Sequence, residues 1–277
     1  MNPDGVQSLA PDLYKKWAAL LTTLRQLDSA VVAFSGGVDS GLLAAATYLA
    51  LGDKMLAITV RSPVEEPEGT AVAEQMAKKV GFRLQVVDYD DLSNPRFVEN
   101  SPDRCYFCKL ARFNLMQDLA QQLGMKHLLE GTNADDSSDY RPGKRAVAEL
   151  GVLSPLAQVG LHKDEIRAIS HALELPVWNR PSTPCLATRF PYGTVVTMED
   201  LEKIRKGESF LKAAGYAVVR VRYHGNLVRI EVEKHRLSDL LLQADEVVSF
   251  FKELGFNYVT LDLAGFRSGS LNEVLRK

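Results

Sequence analysis

Apolar runs and amphipathic stretches alternate through the first two thirds of the chain. Leu13, Trp17, Leu20, Leu21 and Leu24 recur at helical spacing, so a leading amphipathic helix is predicted. Ala30, Val31, Val32, Ala33 and Phe34 are apolar at every position, the mark of a strand buried on both faces. Residues 41–49 then read as a helix, 55–60 as a second strand, and about 66–80 as a helix stopped by Gly81. A third strand covers 82–87. A polar loop holding Pro95 and Pro102 leads to a helix that begins near Cys105 and stops at Gly124. Residues 127–130 form a fourth strand, 161–173 a further helix, and 176–192 a proline-rich connection. Strands alternating with helices predict a parallel α/β sheet with helices on both faces. Ligands of such sheets bind beyond the carboxyl ends of the strands, where 35–40, Arg61 and 131–136 fall.

Beyond residue 192 the pattern changes. Leu201, Ile204 and Leu211 mark a helix, and 218–223 and 227–232 alternate around His224-Gly225-Asn226, a hairpin signal. Leu237, Leu240, Leu241, Ala244, Val248 and Phe251 predict one long helix, and 258–263 a last strand. The chain is read as two domains, an α/β domain over 1–180 and a smaller α+β domain over 181–277.

Between the first strand and its helix stands Ser35-Gly36-Gly37-Val38-Asp39-Ser40. A glycine pair at that place bares backbone N–H groups, the helix dipole adds positive potential, and the serines add hydroxyls. A glycine-rich turn opening a helix accounts for the glycines, but not for two serines and an aspartate at fixed offsets. The spacing and the ending are not those of a Walker A loop. The stretch resembles instead the PP-loop, SGGxDS, of ATP pyrophosphatases, whose members split ATP between the α and β phosphates. Near it, in Glu130-Gly131-Thr132-Asn133-Ala134-Asp135-Asp136, the glycine allows a tight strand exit. Thr132, Asn133 and Asp135 read either as helix caps or as nucleotide and cation ligands. Asp39 is the other candidate for a hard cation, Mg²⁺, bridging carboxylate and phosphate.

Composition narrows the choice. With 277 residues, 46% hydrophobic and 25% charged, the chain can bury a core. A net charge of −2 argues against a nucleic-acid footprint. The start lacks the charged and apolar regions of a signal peptide, and no apolar run approaches a membrane span, so a cytoplasmic location is expected. The three cysteines do not suggest a disulfide framework. Cys105 and Cys108 form C-x-x-C at a helix start, where thiolates are stabilised. Cys185 supplies a third ligand if the fold brings its connection back over the cleft. Three thiolates leave a zinc or a [4Fe–4S] site one ligand short, and an iron without a protein ligand can hold an extra sulfide. Zinc, a cluster and no metal all remain open on the residues alone.

Around Cys185 the sequence reads Asn179-Arg180-Pro181-Ser182-Thr183-Pro184-Cys185-Leu186-Ala187-Thr188-Arg189, and near the end Gly265-Phe266-Arg267-Ser268-Gly269-Ser270. With the PP-loop and the 130–136 segment, the chain resembles the LarE family over nearly its full length. That family works in nickel-pincer nucleotide synthesis. The resemblance implies ATP-dependent adenylation of a carboxylate of pyridinium-3,5-biscarboxylic acid mononucleotide, followed by sulfur displacing AMP. Ser35, Gly36, Gly37, Val38, Asp39, Ser40, Arg61, Gly131, Thr132 and Asn133 are then the nucleotide site, with Asp39 helping to hold Mg²⁺. One branch of the family gives up the sulfur of a single cysteine matching Cys185. The other uses three cysteines to hold a [4Fe–4S] cluster carrying a transferable sulfide, and Cys105, Cys108 and Cys185 resemble that branch. A sulfide or other sulfur donor and a homo-oligomer are implied; membranes and nucleic acid are not.

The substrate phosphate needs its own clamp, for which Arg220 and Arg222 on one strand face, with Arg189, are suited. The plainer reading is a solvated hairpin face on which Arg229 or Arg220 pairs with Glu231. Glu208 falls on the apolar stripe of its helix, where a carboxylate is expensive unless paired or metal-bound. The resemblance implies that Glu208 and Asp239 belong to a second, acidic site, a metal site at subunit contacts or beside the substrate, although Asp239 also reads as a first-turn helix acid. The rival enzyme is a PP-loop tRNA thiolase with a three-cysteine cluster; the non-enzyme rival is a sulfide carrier.

Overall fold

The computed structural model describes residues 1–138, 142–181 and 183–275, so Ser182 of the cysteine motif lies outside the described residues. The chain forms two compact units: Met1–Asp90 with Asp103–Thr183, and Asp91–Pro102 with the chain from Pro184 onward.

In the first unit, β1 (Ala30–Ala33), β2 (Met55–Arg61), β3 (Leu84–Asp88) and β4 (His127–Leu129) form a four-stranded sheet in the order β3-β2-β1-β4. Every pairing is parallel, with Ala30 opposite both Met55 and His127. The unbroken apolar run of β1 is explained by its two faces. Ala30 and Val32 enter one core with Leu20, Leu42 and Ile166. Val31 enters another with Phe113, Met116 and Val147. Helices Pro11–Arg25, Val38–Leu51, Glu68–Val80 and Lys163–Ala172 cover the first face, and Arg104–Gln122 and Gly143–Glu149 the second. Gly81 ends its helix as predicted, in the left-handed region at φ 99°, its N–H donating to the Ala77 carbonyl at 2.8 Å. The strand order reverses between β1 and β4, which opens a crevice at their carboxyl ends.

In the second unit, β5 (Val219–His224) and β6 (Leu227–Val232) form the predicted antiparallel hairpin, and β7 (Tyr258–Leu261) adds in parallel to β6. The long helix expected over 237–251 is two helices, Leu237–Leu242 and Ala244–Glu253. Gln243 leaves the helical backbone at φ −105°, ψ 16°, and its amide donates to the Tyr216 hydroxyl at 3.1 Å. The apolar period runs through the break in register, so periodicity could not reveal it. Leu241, expected in the core, is 63% exposed. The proline-bearing loop before Cys105 also holds structure. Asn94 caps the turn Pro95–Val98 and buries Phe97. Asn100 donates to the Pro191 carbonyl at 2.8 Å, and Gly193 and Val196 donate back to Asn100 and Val98. Those bonds assign 91–102 to the second unit. Among the described residues, no helix is long and apolar enough to cross a membrane.

The helix Val38–Leu51 sits close enough to its neighbours that a Cβ on Gly41 would lie 2.6 Å from Val177 Cγ2 and 3.3 Å from Met76 Sδ. Gly41→Val is expected to overpack this contact and cost about 1–3 kcal/mol. Urea unfolding should show a lower midpoint with an unchanged slope. An unchanged midpoint would show that this helix is not packed so tightly.

Candidate active site

The two serines of the phosphate loop bond to each other across it. Ser35 Oγ and Ser40 Oγ lie 3.0 Å apart, and the Ser35 N–H donates to Ser40 Oγ at 3.2 Å. Thr59 of β2 donates to the Phe34 carbonyl at 2.7 Å and fixes the strand end that carries the loop. Gly36 takes φ 71°, a value that favours glycine, and Gly37 is the N-cap of the following helix. The helix therefore starts with backbone donors aimed at the strand ends.

Next to it, the exit of β4 presses directly on the loop. A Cβ on Gly131 would lie 2.9 Å from Ser40 N and 3.1 Å from Ser40 Cα, so no side chain fits there. Asn133 folds the exit into a turn, its Oδ1 accepting from the Asp135 N–H at 2.9 Å. Its amide reaches Asp39 Oδ1 at 3.3 Å. The other Asp39 oxygen takes the Lys163 ammonium. Lys163 is itself placed by Asp135, whose carboxylate accepts the Lys163 N–H at 2.7 Å and faces His162 Nδ1 at 2.6 Å. Glu130 is buried and ringed by Lys109, Thr132 and Ser154. Burial pushes its carboxyl up, but the Lys109 charge and the Ser154 and Thr132 bonds hold it below the ordinary range.

These walls enclose a cavity of about 400 Å³. Ser35, Gly37, Val38, Asp39, Ser40, Gly131 and Thr132 all line it, as does Cys108. Asn133 acts from behind through Asp39. Arg61 is not on the lining; it is an exposed residue bonded to Asp88 at 2.6 Å. The apolar wall comes from Ala33, Phe34, Val60, Phe113 and Met116, a size and polarity suited to a planar base beside a polar phosphate end.

All three cysteines are thiols rather than disulfides. Cys105 and Cys108 stand about one turn apart at the start of Arg104–Gln122 in the first unit, and Cys185 belongs to the second. Among the described residues, no three His, Cys, Asp or Glu side chains form a group able to hold a metal ion.

The structure gives the acids and arginines of the second unit to one another. Arg189 and Glu208, 0% and 1% exposed, form a two-pronged pair at 2.8 and 2.9 Å. Glu208 also accepts the Val221 N–H at 3.1 Å. Arg189 Nη1 then donates to the Pro184 carbonyl at 2.9 Å and to that of Cys185 at 3.3 Å, so the pair holds the turn that carries the thiol. Arg222 binds Glu231 the same way, at 3.0 and 2.8 Å, and donates to Ser270 at 2.9 Å. The late glycine motif thus closes over a buried ion pair. Arg229 shares Glu231 at 3.1 Å. Arg220 is the exception: it donates to the Val219 carbonyl at 2.7 Å and lies over the Phe266 ring, 5.1 Å from its centre. Among the described residues no carboxylate stands within ion-pair distance of it. Burial first, then the Arg189 charge, push its guanidinium down to about 10. Asp239 is a surface acid bonded to Arg236 at 2.6 Å.

The NAD synthase family matches residues 18–128, which carry the phosphate loop. An uncharacterized protein of Synechocystis sp. is 43% identical, covering 93% of this chain and 98% of its own length. One of Methanocaldococcus jannaschii is 33% identical, covering 86% and 90%. Pyridinium-3,5-bisthiocarboxylic acid mononucleotide synthase of Lactiplantibacillus plantarum is 36% identical over 96% of both chains. The chain belongs to the family of that synthase, the LarE family. It is an ATP-dependent enzyme of the PP-loop type.

The cavity is also lined by residues that sequence reasoning did not single out: Lys109, Arg112, Lys163 and Arg180. Lys109 stands four positions after Cys105 and Arg112 four after Cys108, so a helical wheel drawn from the two cysteines would have found them. Lys163 lies in the predicted 161–173 helix and Arg180 in the motif around Cys185, but only the fold returns their side chains to the loop. For the buried pair, Glu208→Gln is expected to cost about 3–5 kcal/mol near neutral pH, since it leaves Arg189 buried without its countercharge. Burial pushes the Glu208 carboxyl up, but Arg189 and the Val221 N–H hold it below the ordinary range. The pair's contribution is therefore complete above that range and is lost as pH falls through the lowered value. Denaturant unfolding over a pH series should show the gap between variant and parent closing in acid. A gap that stayed constant would assign the loss to packing.

Proposed function

We propose that the chain is an ATP-dependent sulfurtransferase that converts carboxylates of pyridinium-3,5-biscarboxylic acid mononucleotide to thiocarboxylates. The observation that carries this reading is that the phosphate loop, the acidic β4 exit and the Cys108 thiol line one cavity. A carboxylate is a poor electrophile. In the reading, a substrate carboxylate oxygen attacks the α-phosphorus of ATP and pyrophosphate departs, leaving an acyl adenylate. A sulfur nucleophile then attacks the acyl carbon, the carbon–oxygen bond to phosphate breaks, and AMP leaves.

The loop N–H groups and the Ser35 and Ser40 hydroxyls bind and orient the phosphates as charge develops on them. Asp39, with other oxygen donors on the same walls, fits a hard cation, and Mg²⁺ bound there would neutralise phosphate charge. Lys163 keeps the Asp39 carboxylate balanced and aimed into the cavity. Arg220, which has no carboxylate partner among the described residues, suits the substrate phosphate better than Arg189 or Arg222. The second unit, on this reading, serves substrate binding and assembly of a homo-oligomer in the cytoplasm.

Three thiols are a donor set chemically suited to iron, and two of them sit one helical turn apart. A [4Fe–4S] cluster held by Cys105, Cys108 and Cys185 would supply sulfur at the level of sulfide, replenished from a sulfide source. The anchoring of the Cys185 turn by Arg189 favours a second reading, in which Cys185 alone yields its sulfur and becomes dehydroalanine.

Ser35→Ala and Asp39→Asn are each expected to slow substrate-dependent pyrophosphate release by about a hundredfold or more without lowering the melting temperature. Parent-like release in both would remove the loop from the chemistry. Cys105→Ala and Cys108→Ala should keep pyrophosphate release and lose sulfur transfer together with iron. If both retain one turnover, and the spent parent protein is lighter by one hydrogen sulfide at Cys185, the second reading holds.

A further inference from the structure

We propose that Arg180 receives the pyrophosphate end of ATP, with guanidinium donors that no carboxylate among the described residues takes up; the inference rests on the reading that this cavity holds ATP. The charges of the wall point to it. Lys109 is matched by Glu130 at 3.3 Å, Arg112 by Glu65 at 2.7 Å, and Lys163 by Asp39. Arg180 lines the same cavity, and among the described residues no carboxylate stands within ion-pair distance of it. Among the described residues, the one hydrogen bond its guanidinium makes runs from Nη1 to the Gly36 carbonyl at 2.8 Å. An arginine has five N–H donors in a planar fork, so most of the fork remains for a ligand. Burial pulls the Arg180 guanidinium down, and the charge of Glu68 opposes it.

The position is set in advance. Arg167 donates to the carbonyls of Trp178 and Arg180, each at 3.0 Å, and the Arg180 N–H donates to the Val177 carbonyl at 3.1 Å. Trp178 stands edge-on to His171, ring centres 4.5 Å apart. Arg167 and His171 lie on the helix Lys163–Ala172, whose first residue holds Asp39. One helix thus fixes a matched cation and an unmatched one around the same loop. On the loop itself, a Cβ on Gly36 would lie 3.1 Å from Arg180 Nη1 and 2.7 Å from the Gly69 carbonyl. The guanidinium therefore rests on bare backbone beside the phosphate nest.

Charge selects the pyrophosphate end. When the α–β bond breaks, most of the negative charge leaves with pyrophosphate, while AMP keeps the smaller share. An unmatched, partly desolvated cation gains most from the more highly charged group.

The test is calorimetric titration of ATP, inorganic pyrophosphate and AMP, each with Mg²⁺ at fixed ionic strength, into the full chain and Arg180→Ala. The expected result is a loss of about ten- to a hundredfold in affinity for pyrophosphate and ATP, with AMP changed less than about threefold. Unchanged pyrophosphate binding, or equal losses for all three, overturns the proposal. If Arg180→Ala does not fold, Arg180→Gln keeps a donor for the Gly36 carbonyl, loses the charge and carries the same outcomes. A parent chain that binds none of the three ligands overturns the ATP reading itself, and this inference with it.

Discussion

The absence of a side chain at residue 131 is the constraint on which the site depends. Parallel pairing of β1 and β4 brings the two strand exits together, and a Cβ on Gly131 would meet the backbone of Ser40. Because the exits touch, Asn133 reaches Asp39, and the Asn133 turn sets Asp135 to receive the Lys163 N–H. Lys163 then closes the circuit on Asp39. A short-range steric fact at one glycine is thus passed through hydrogen bonds to a carboxylate at the phosphate loop. Desolvation and fixed geometry make such a preset group worth more than one that must be ordered at the moment of reaction.

The second unit solves a different problem. Four arginines, 189, 220, 222 and 229, crowd near the hairpin, and buried charge is tolerated only when paired. Glu208 and Glu231 satisfy Arg189 and Arg222 in two-pronged geometry, and Arg229 shares Glu231. That leaves Arg220 as the cation without an ion-pair partner among the described residues. The same network turns inward to the Cys185 carbonyl, so electrostatics that satisfy the core also hold the thiol's backbone.

Much of this was legible in the sequence, for reasons that can be named. The apolar run of β1 and the glycine stop at Gly81 have local causes, and the Ser35–Ser40 loop draws its meaning from a strand before it and a helix after it. The break at Gln243 was hidden because the apolar period continues through it. Glu208 was rightly read as a carboxylate that needs a partner, but its helix could not say whether that partner was a metal or Arg189. Arg61 stands at a strand end as read, yet its side chain turns to Asp88. Lys163 and Arg180 owe their places entirely to tertiary structure, which no local pattern encodes.

The hydrogen bonds that tie Asp91–Pro102 to the chain beyond Pro184 bear on how the protein is made. The chain passes from the first unit to the second and back before returning to finish the second. On a ribosome adding about 5–20 residues per second, the first unit can close its sheet while 91–102 still has nothing to fold against. For a matter of seconds Phe97, 1% exposed in the finished protein, stands in water, and the Asn100 amide has no carbonyl to meet. Synthesis therefore passes through an interval with a bare aromatic loop on an otherwise completed sheet domain. A holding chaperone has a defined window in which to bind it.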